Sequence, residues 1–212
     1  MAGLRDYDEW HHYYDDPGSG LSWRLRRVQA HLAETLHRHR GACRIVSACS
    51  GDGRDVLDVL AGRDDADRVQ AVLVELHPGI AERARASAAA AGLTGVEVRM
   101  ADAGTTDAYV GAVPADIVLL VGIFGNISGD DLWRTIDAAP QLCAPGATLI
   151  WSRGRDDGDL NTEVRARFAA ARFTELAYEA REQGSMPALG VVRYAGPSVD
   201  LVPGLPLFTF IR

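Results

Sequence analysis

Residues 47–57 read SACSGDGRDVL and determine how the rest of the chain is interpreted. Gly51 and Gly53 allow the backbone to turn tightly and let a ligand approach without a Cβ atom in the way. A helix that begins near Arg54 would point its free N–H groups at the same place. Two glycines alone are a weak indication of a nucleotide site, because many such turns are only turns. The interpretation therefore depends on the elements around them.

Short β-rich runs alternate with helical stretches after Gly41. The predicted strands are 43–48, 69–75, 96–100, 116–121 and 147–151, followed by late strands at 174–180, 189–194 and 207–211. The predicted helices are 54–62, 78–93, 128–143 and 161–173, with a short one near 105–111. Strands that alternate with helices indicate βαβ units and a parallel sheet. The late strands have no long helix between them, so we expect at least one to run antiparallel.

Two carboxylates follow the next two strands at informative places. Glu75 ends the second strand, 22 residues after Gly53, where an acid accepts hydrogen bonds from ribose hydroxyls in nucleotide-binding folds. Asp102 follows the third strand, next to where an adenine would lie. Either acid alone is explained by a solvated loop. Together with the glycine turn they predict a ligand site at the carboxyl edge of the sheet.

The first forty residues differ in character from the rest. Residues 9–19 read EWHHYYDDPGS, an aromatic and acidic stretch with a break at Pro17-Gly18. A helix is expected next, because five apolar residues recur at spacings of three and four, namely Leu21, Leu25, Val28, Leu32 and Leu36. We therefore divide a single domain into a lid segment with its helix (residues 1–40) and a core (residues 41–212).

Composition excludes several classes of function. The net charge is −7, so a broad attraction to nucleic acid is not expected. All 22 basic residues are Arg, which we attribute to a coding bias and not to phosphate binding. The three cysteines form no C-x-x-C pair, which argues against a disulfide framework or a zinc site and for a reducing compartment. Neither a signal peptide nor a membrane-spanning run is recognisable. We expect a cytoplasmic protein that does not bind membranes.

The order of these motifs resembles the class I S-adenosylmethionine-dependent methyltransferases from about residue 41 to the C-terminus. The resemblance rests on IVSACSGDGRDVL (45–57), VLVELHPGIAERARASAAAAGL (72–93), VRMADA (98–103), DIVLLVGIF (116–124) and LCAPGATLIW (142–151). It implies a doubly wound, Rossmann-like α/β fold whose seven-stranded sheet has one antiparallel strand. It also implies that 207–211, LFTFI, is the closing strand.

The resemblance assigns S-adenosyl-L-methionine to the predicted site. The glycine turn would contact the methionine part, Glu75 the ribose and Asp102 the adenine amino group. Two positions depart from the family: Ser47 stands where an acid is usual, and Cys49 where a glycine is usual. The acid commonly helps to hold the cofactor's ammonium group, which leaves Asp52, Asp55 or a backbone carbonyl to do so. The implied cofactor contacts are Tyr13, Tyr14, Ser50, Gly51, Asp52, Gly53, Glu75, Leu76, Asp102, Ala103 and Gly122.

Methyl transfer needs mainly in-line positioning and exclusion of water, with a base only where the acceptor atom carries a proton. The lid aromatics would exclude water, or would instead dock the first helix on the core. The catalytic candidates are His11, His12 and Tyr14. The acceptor-side candidates are Phe124, Asn126 and Arg153, although Phe124 suits the core equally and Arg153 a surface ion pair. We expect no metal site, since the adjacent residues among His11, His12, Asp15 and Asp16 diverge in direction.

The motifs predict transfer of a methyl group to an oxygen or nitrogen of a small organic molecule, and three other functions are alternatives to it. An NAD-dependent dehydrogenase would need a third glycine where Val56 stands. An aminopropyltransferase of the spermidine synthase kind would need an acid at the end of the fourth strand, where no carboxylate occurs before Asp130. A non-catalytic cofactor-binding protein would keep the same glycines and acids. The motifs therefore favour methyl transfer and leave open whether the protein is catalytic.

Overall fold

The computed structural model describes residues 16–155, 158–182 and 187–211. The strands in this part of the chain are β1 (Cys43–Ala48), β2 (Val69–Glu75), β3 (Val96–Met100), β4 (Ala115–Leu120), β5 (Cys143–Gly154), β6 (Phe173–Ala180) and β7 (Pro187–Tyr194). The helices are α1 (Gly20–Arg38), α2 (Arg54–Ala61), α3 (Pro78–Ala90), α4 (Gly129–Ala138) and α5 (Asn161–Ala170). Short 3₁₀ turns occur at Ala66–Arg68, Thr106–Tyr109 and Ala139–Leu142. None of these helices is both long enough and apolar enough to cross a membrane.

The seven described strands form one sheet in the order β3-β2-β1-β4-β5-β7-β6. Strands β1 to β5 pair in parallel, and β7 runs antiparallel to both of its neighbours, as the sequence predicted. The strand order reverses at β1, which pairs with β2 on one side and β4 on the other. In open parallel sheets such a reversal opens a crevice beyond the carboxyl ends of the strands. The predicted glycine turn lies at this place.

The amino-terminal helix α1 is fixed firmly to one face of the sheet. Ser19 caps it by accepting a hydrogen bond from the Ser22 N–H at 3.0 Å. Its buried stripe of Val28, Leu32 and Leu36 packs into the core on the side of α2. At the far edge of the sheet, Arg27 and His31 both bind the carboxylate of Glu179 on β6. The helix is therefore held to the sheet by apolar packing, as its periodicity predicted, and also by charge, which the sequence did not predict.

The expectation that 207–211 closes the sheet was wrong. The closing strand is β7, and the later residues cross the loops at the carboxyl edge instead. Leu207 and Phe208 are consecutive and both buried, whereas a half-buried strand would bury alternate residues. The Leu207 N–H donates to the Gly104 carbonyl at 2.7 Å, and the Ile211 N–H donates to the Asn126 carbonyl at 2.9 Å. The tail thus joins the loop after β3 to the loop after β4.

Candidate functional site

The turn after β1 uses its two glycines for different reasons. Both have positive φ, 59° at Gly51 and 78° at Gly53, a conformation that side chains rarely adopt. A Cβ on Gly53 would lie 2.9 Å from a Leu73 methyl carbon and 3.0 Å from one of Leu57, so this glycine lets α2 pack closely on β2. A Cβ on Gly51 would meet nothing within 4 Å. Gly51 therefore faces open space, where a ligand has room to approach.

Cys49 also adopts a left-handed conformation, with φ of 50°. A glycine is usual at this position in the family that the sequence resembles, and Cys49 has the positive φ that glycine adopts most easily. Burial raises the pKa of the Cys49 thiol, and the charges of Glu75 and Asp102 raise it further. The thiol is therefore neutral, and both predicted carboxylates lie close enough to influence it. This places the ends of β1, β2 and β3 around one site.

Glu75 is held by two backbone amides. Its Oε2 atom accepts a hydrogen bond from the Gly51 N–H at 2.9 Å, and its Oε1 atom accepts one from the His77 N–H at 2.8 Å. Leu76, next in the chain, is 64% exposed. The Glu75 carboxylate is thus oriented by the glycine turn, with which it was predicted to form a ligand site. The exposed apolar side chain of Leu76 lies next to it in the chain.

The loop after β3 presents Asp102 at the surface. The Asp102 Oδ1 atom accepts a hydrogen bond from the Gly104 N–H at 2.8 Å, which fixes the carboxylate. Ala103 is buried, and its carbonyl accepts a hydrogen bond from the Tyr109 hydroxyl at 2.8 Å. Ala103 is therefore part of the packed base of this loop, whereas Asp102 is exposed.

Arg24, which the sequence did not single out, reaches Gly122 just after the end of β4. The Gly122 N–H donates to the Ser152 Oγ atom at 2.9 Å, and a Cβ on Gly122 would lie 3.4 Å from the Arg24 Nη1 atom. Arg24 reaches this point from α1, one turn before Val28 on the buried stripe of that helix. A charged residue that continues a buried stripe is the sequence signal that could have identified it.

Asp52 and Asp55, the two acids that could replace the acid missing at Ser47, have different surroundings. Asp52 accepts hydrogen bonds from the Arg54 Nε atom at 2.9 and 3.0 Å, so its charge is balanced within the turn. Asp55 is half-buried in the first turn of α2, and burial raises its pKa to about 6 against the opposing charge of Arg24. Ser47 itself is buried and supplies no charge. Asp55 therefore lies within electrostatic reach of Arg24, beside the glycine turn.

The acceptor-side predictions fare differently. Phe124 is 1% exposed and packs against Trp151 and Phe168, with ring centroids 6.1 and 6.2 Å away. Phe124 is therefore a core residue, which is the alternative to an acceptor contact that the sequence left open. The Asn126 Nδ2 atom donates to the Gly122 carbonyl at 2.8 Å, so the amide braces the turn after β4.

Arg153 stabilises the loop that follows β5. Its Nη1 atom donates to the Gly154 carbonyl at 2.9 Å and to the Gly158 carbonyl at 2.8 Å. The predicted lid residues Tyr13 and Tyr14 and the predicted bases His11 and His12 lie outside the described residues.

Comparison with protein-family models finds none that matches this chain. The search of curated proteins likewise finds no significant relative.

Solved structures do match. Magnesium protoporphyrin IX methyltransferase from Synechocystis PCC 6803 with bound S-adenosylmethionine matches with a TM-score of 0.69 and 11% identity, over 90% of this chain and 91% of that one. A putative sarcosine dimethylglycine methyltransferase from Galdieria sulphuraria matches with a TM-score of 0.59 and 10% identity, over 81% and 86% of the two chains. A tRNA methyltransferase from B. subtilis matches with a TM-score of 0.57 and 15% identity, over 82% and 66%.

At these low identities the likeness concerns the fold. The reversal of strand order at β1, the glycine turn and the antiparallel β7 agree with it. This chain has the fold of the class I S-adenosylmethionine-dependent methyltransferases.

Proposed function

We propose that this protein transfers a methyl group from S-adenosylmethionine to an oxygen or nitrogen of a small organic molecule. The observation that carries the proposal is the hydrogen bond between Glu75 and the Gly51 amide. This hydrogen bond joins Glu75, the acid expected to bind the ribose, to the turn in which Gly51 faces open space.

The residues at the carboxyl edge fit the nucleoside part of the cofactor. The Glu75 oxygens each have a further lone pair for the ribose hydroxyls beyond the backbone bond that each accepts. Leu76 offers an exposed apolar surface to an adenine ring, and Asp102 an exposed acceptor for the adenine amino group. Ser50 and Ala103 would contribute backbone groups. The donor set is therefore appropriate for an adenosine moiety.

The methionine part meets a pair of opposite charges. Arg24, beside Gly122, would bind the carboxylate, since a guanidinium and a carboxylate form two parallel hydrogen bonds. Asp55 and the Gly122 carbonyl would accept hydrogen bonds from the ammonium group. This arrangement would replace the acid that is missing at Ser47.

Bound S-adenosylmethionine supplies a methyl group that is already activated by the sulfonium charge. The chain then has to orient the acceptor in line and exclude water. Tyr13 and Tyr14 in the lid segment would cover the site, and His11, His12 or Tyr14 would accept a proton from an acceptor that carries one. Asn126 would keep the turn beside the reacting groups in shape.

Charge around the edge favours a small acceptor over RNA. Glu75 and Asp102 lie at or just after the carboxyl ends of β2 and β3, and Asp130 lies in the first turn of α4, in a chain of net charge −7. Such a surface repels a phosphate backbone. A spermidine synthase activity is disfavoured at the same site, because Arg24, which reaches Gly122 from α1, would repel a cationic polyamine.

Two measurements test the proposal. Calorimetry with S-adenosylmethionine, S-adenosylhomocysteine and NAD should show binding of the two sulfur compounds, and binding of NAD alone would contradict the cofactor. A metabolite extract and bulk tRNA should then be incubated separately with methyl-labelled cofactor. We expect label in small molecules. Efficient labelling of the RNA would contradict the acceptor class, and binding without transfer to either pool would favour the non-catalytic alternative.

A further inference from the structure

Three side chains of different chemistry meet at the end of the sheet opposite the cofactor edge. His39 follows α1, Cys43 begins β1, and Asp116 is the second residue of β4. One donor atom from each lies within 4.8 Å of the other two. The six residues of β1 separate this cluster from the glycine turn by about 20 Å. The cluster is therefore independent of the proposed cofactor site.

The three donor types suit a zinc-like cation. Imidazole nitrogen, thiolate sulfur and carboxylate oxygen are the ligands that zinc uses in proteins, and zinc–ligand bonds of about 2.0–2.3 Å put tetrahedral donors about 3.3–3.6 Å apart. Separations of up to 4.8 Å thus need a contraction of up to about 1.2–1.5 Å, through rotation of the three side chains. A water molecule would complete four-fold coordination.

Outer contacts already orient two of the three groups. The His39 Nε2 atom lies 2.8 Å from the Ala42 carbonyl oxygen, and this hydrogen bond leaves Nδ1 of the neutral ring with a free lone pair. The Asp116 Oδ2 atom accepts a hydrogen bond from the Arg44 N–H at 2.8 Å, which leaves Oδ1 for a cation. Hydrogen bonds from metal ligands to backbone groups are typical of metal sites, where they fix the orientation of the ligands.

The charges around Cys43 are compatible with a cation. Cys43 is 2% exposed, and burial together with the Asp116 charge raises the pKa of its thiol to about 12. A divalent cation would reverse this effect, because it binds the thiolate and neutralises the carboxylate. Arg63 and Arg68 oppose a cation here, but each donates to an oxygen of Asp65 at 2.8 Å.

We propose that His39, Cys43 and Asp116 bind one zinc-like divalent cation, which fastens the end of α1 to the start of β1 and to β4. The site is structural, since it lies at the amino ends of the strands, away from the carboxyl edge. This proposal differs from the expectation of no metal site that was based on the sequence. In the sequence, Asp116 is too distant from His39 and Cys43 for the three to be associated.

The test uses the full chain without a histidine tag, freed of metal with a chelator. Zinc titrated against a chromophoric chelator should bind at one ion per chain, and cobalt should give a thiolate-to-metal charge-transfer band. At a zinc concentration about a hundred times the dissociation constant, the melting temperature should rise by about 5 °C or more. His39→Ala and Cys43→Ser should each weaken binding by at least about a hundredfold, since even outer-shell losses cost 10–100-fold.

Two variants serve as controls. Cys143→Ser removes another buried thiol and His11→Ala/His12→Ala removes the histidines near the N-terminus, and both should leave zinc binding unchanged. His39 is only partly buried, so His39→Ala remains informative if Cys43→Ser does not fold. Absence of stoichiometric binding, or binding that survives His39→Ala, would overturn the proposal. The binding of S-adenosylmethionine is a separate measurement on the same protein, so failure of either proposal is recognised independently.

Discussion

The Glu75 carboxylate accepts a hydrogen bond from the Gly51 amide at 2.9 Å, so the end of β2 is tied to the turn after β1. The same carboxylate accepts the His77 N–H at 2.8 Å from the start of the next helix. Its position is therefore set before a ligand arrives. A preorganised acceptor binds with a smaller entropic cost than one that must be ordered on binding.

Replacing Glu75 should weaken cofactor binding more than folding. Glu75→Ala removes the charged acceptor for the ribose, and we expect a loss of about 1–3 kcal/mol in the binding of S-adenosylhomocysteine, measured by calorimetry. Glu82→Ala, at an exposed position on α3, is the control and should have no effect on affinity. Equal affinities of the two variants would contradict the assigned role of Glu75.

Alanine substitutions of Gly51 and Gly111 distinguish the effect of backbone strain on stability from the effect of a lost ligand contact on binding. Gly51 and Gly111 have φ of 59° and 75°, and a Cβ on either would meet nothing within 4 Å. Gly51→Ala and Gly111→Ala should each lower the free energy of unfolding by about 1–2 kcal/mol, the cost of a left-handed conformation. Only Gly51→Ala should also abolish cofactor binding, because its methyl group points into the ligand's space. Calorimetry on both folded variants decides whether that space is used.

Asp55 predicts a specific pH dependence of stability. Its pKa is raised from 3.8 to about 6 by burial, so the folded chain binds this proton more tightly than the unfolded chain. Its contribution to stability therefore falls as the pH rises from about 4 to 6. Asp55→Asn lacks this loss and should exceed the wild type above pH 6 by up to about 3 kcal/mol, with no advantage near pH 3. Urea unfolding at several pH values measures the difference.

The same residue should make cofactor affinity depend on pH. An ammonium group favours the ionised carboxylate, so wild-type affinity should increase as the pH rises through about 6. Asp55→Asn should show a weaker and flatter affinity profile, whereas Asp58→Asn, on the exposed side of α2, should follow the wild type. A wild-type profile retained in Asp55→Asn would assign the ammonium group to another acceptor.

Local pattern was sufficient to predict the strands that form the site. β1, β2 and β3 occupy the predicted residues, because each is a short apolar run bounded by turn residues. Gly51, Glu75 and Asp102 follow directly from where these strands end. Apolar patterns and the turn residues that bound them are properties of neighbouring residues, so one sequence is enough to recognise them.

Long-range contacts account for what the sequence did not predict. Arg24 reaches Gly122 across almost a hundred positions of the chain, and its helix face is known only once α1 has a place on the sheet. Phe124 follows β4 like a pocket residue but is enclosed by Trp151 and Phe168 from later elements. The apolar run of 207–211 fits a strand, while tertiary packing places this segment over two loops.

The lid segment can be tested by truncation. Arg26 and Arg181 donate to the Pro17 and Gly18 carbonyls, which ties the start of α1 in place without the preceding residues. Removal of residues 1–15 should therefore leave the melting temperature nearly unchanged, abolish turnover and weaken cofactor binding. Unchanged affinity in the folded truncation would contradict the lid. Loss of affinity only in proportion to unfolding would assign the aromatic residues to docking of the helix.

The last prediction concerns the tail that joins the loops after β3 and β4. A Cβ on Gly104 would lie 2.2 Å from the Phe208 carbonyl oxygen, a backbone atom that cannot rotate away. Gly104→Ala should therefore displace the tail, at a cost of about 3 kcal/mol in unfolding free energy. Hydrogen exchange should accelerate at the Leu207 and Ile211 amides, which bind the two loops, while the amides of β1 stay protected. Gly62→Ala is the control, because its nearest neighbour would be 3.7 Å away, and it should change stability by less than about 1 kcal/mol. If the tail orders Asp102 for adenine, the Gly104 variant should also bind S-adenosylhomocysteine more weakly. An undisturbed Leu207 amide in a folded Gly104→Ala protein would show that the tail does not hold this loop.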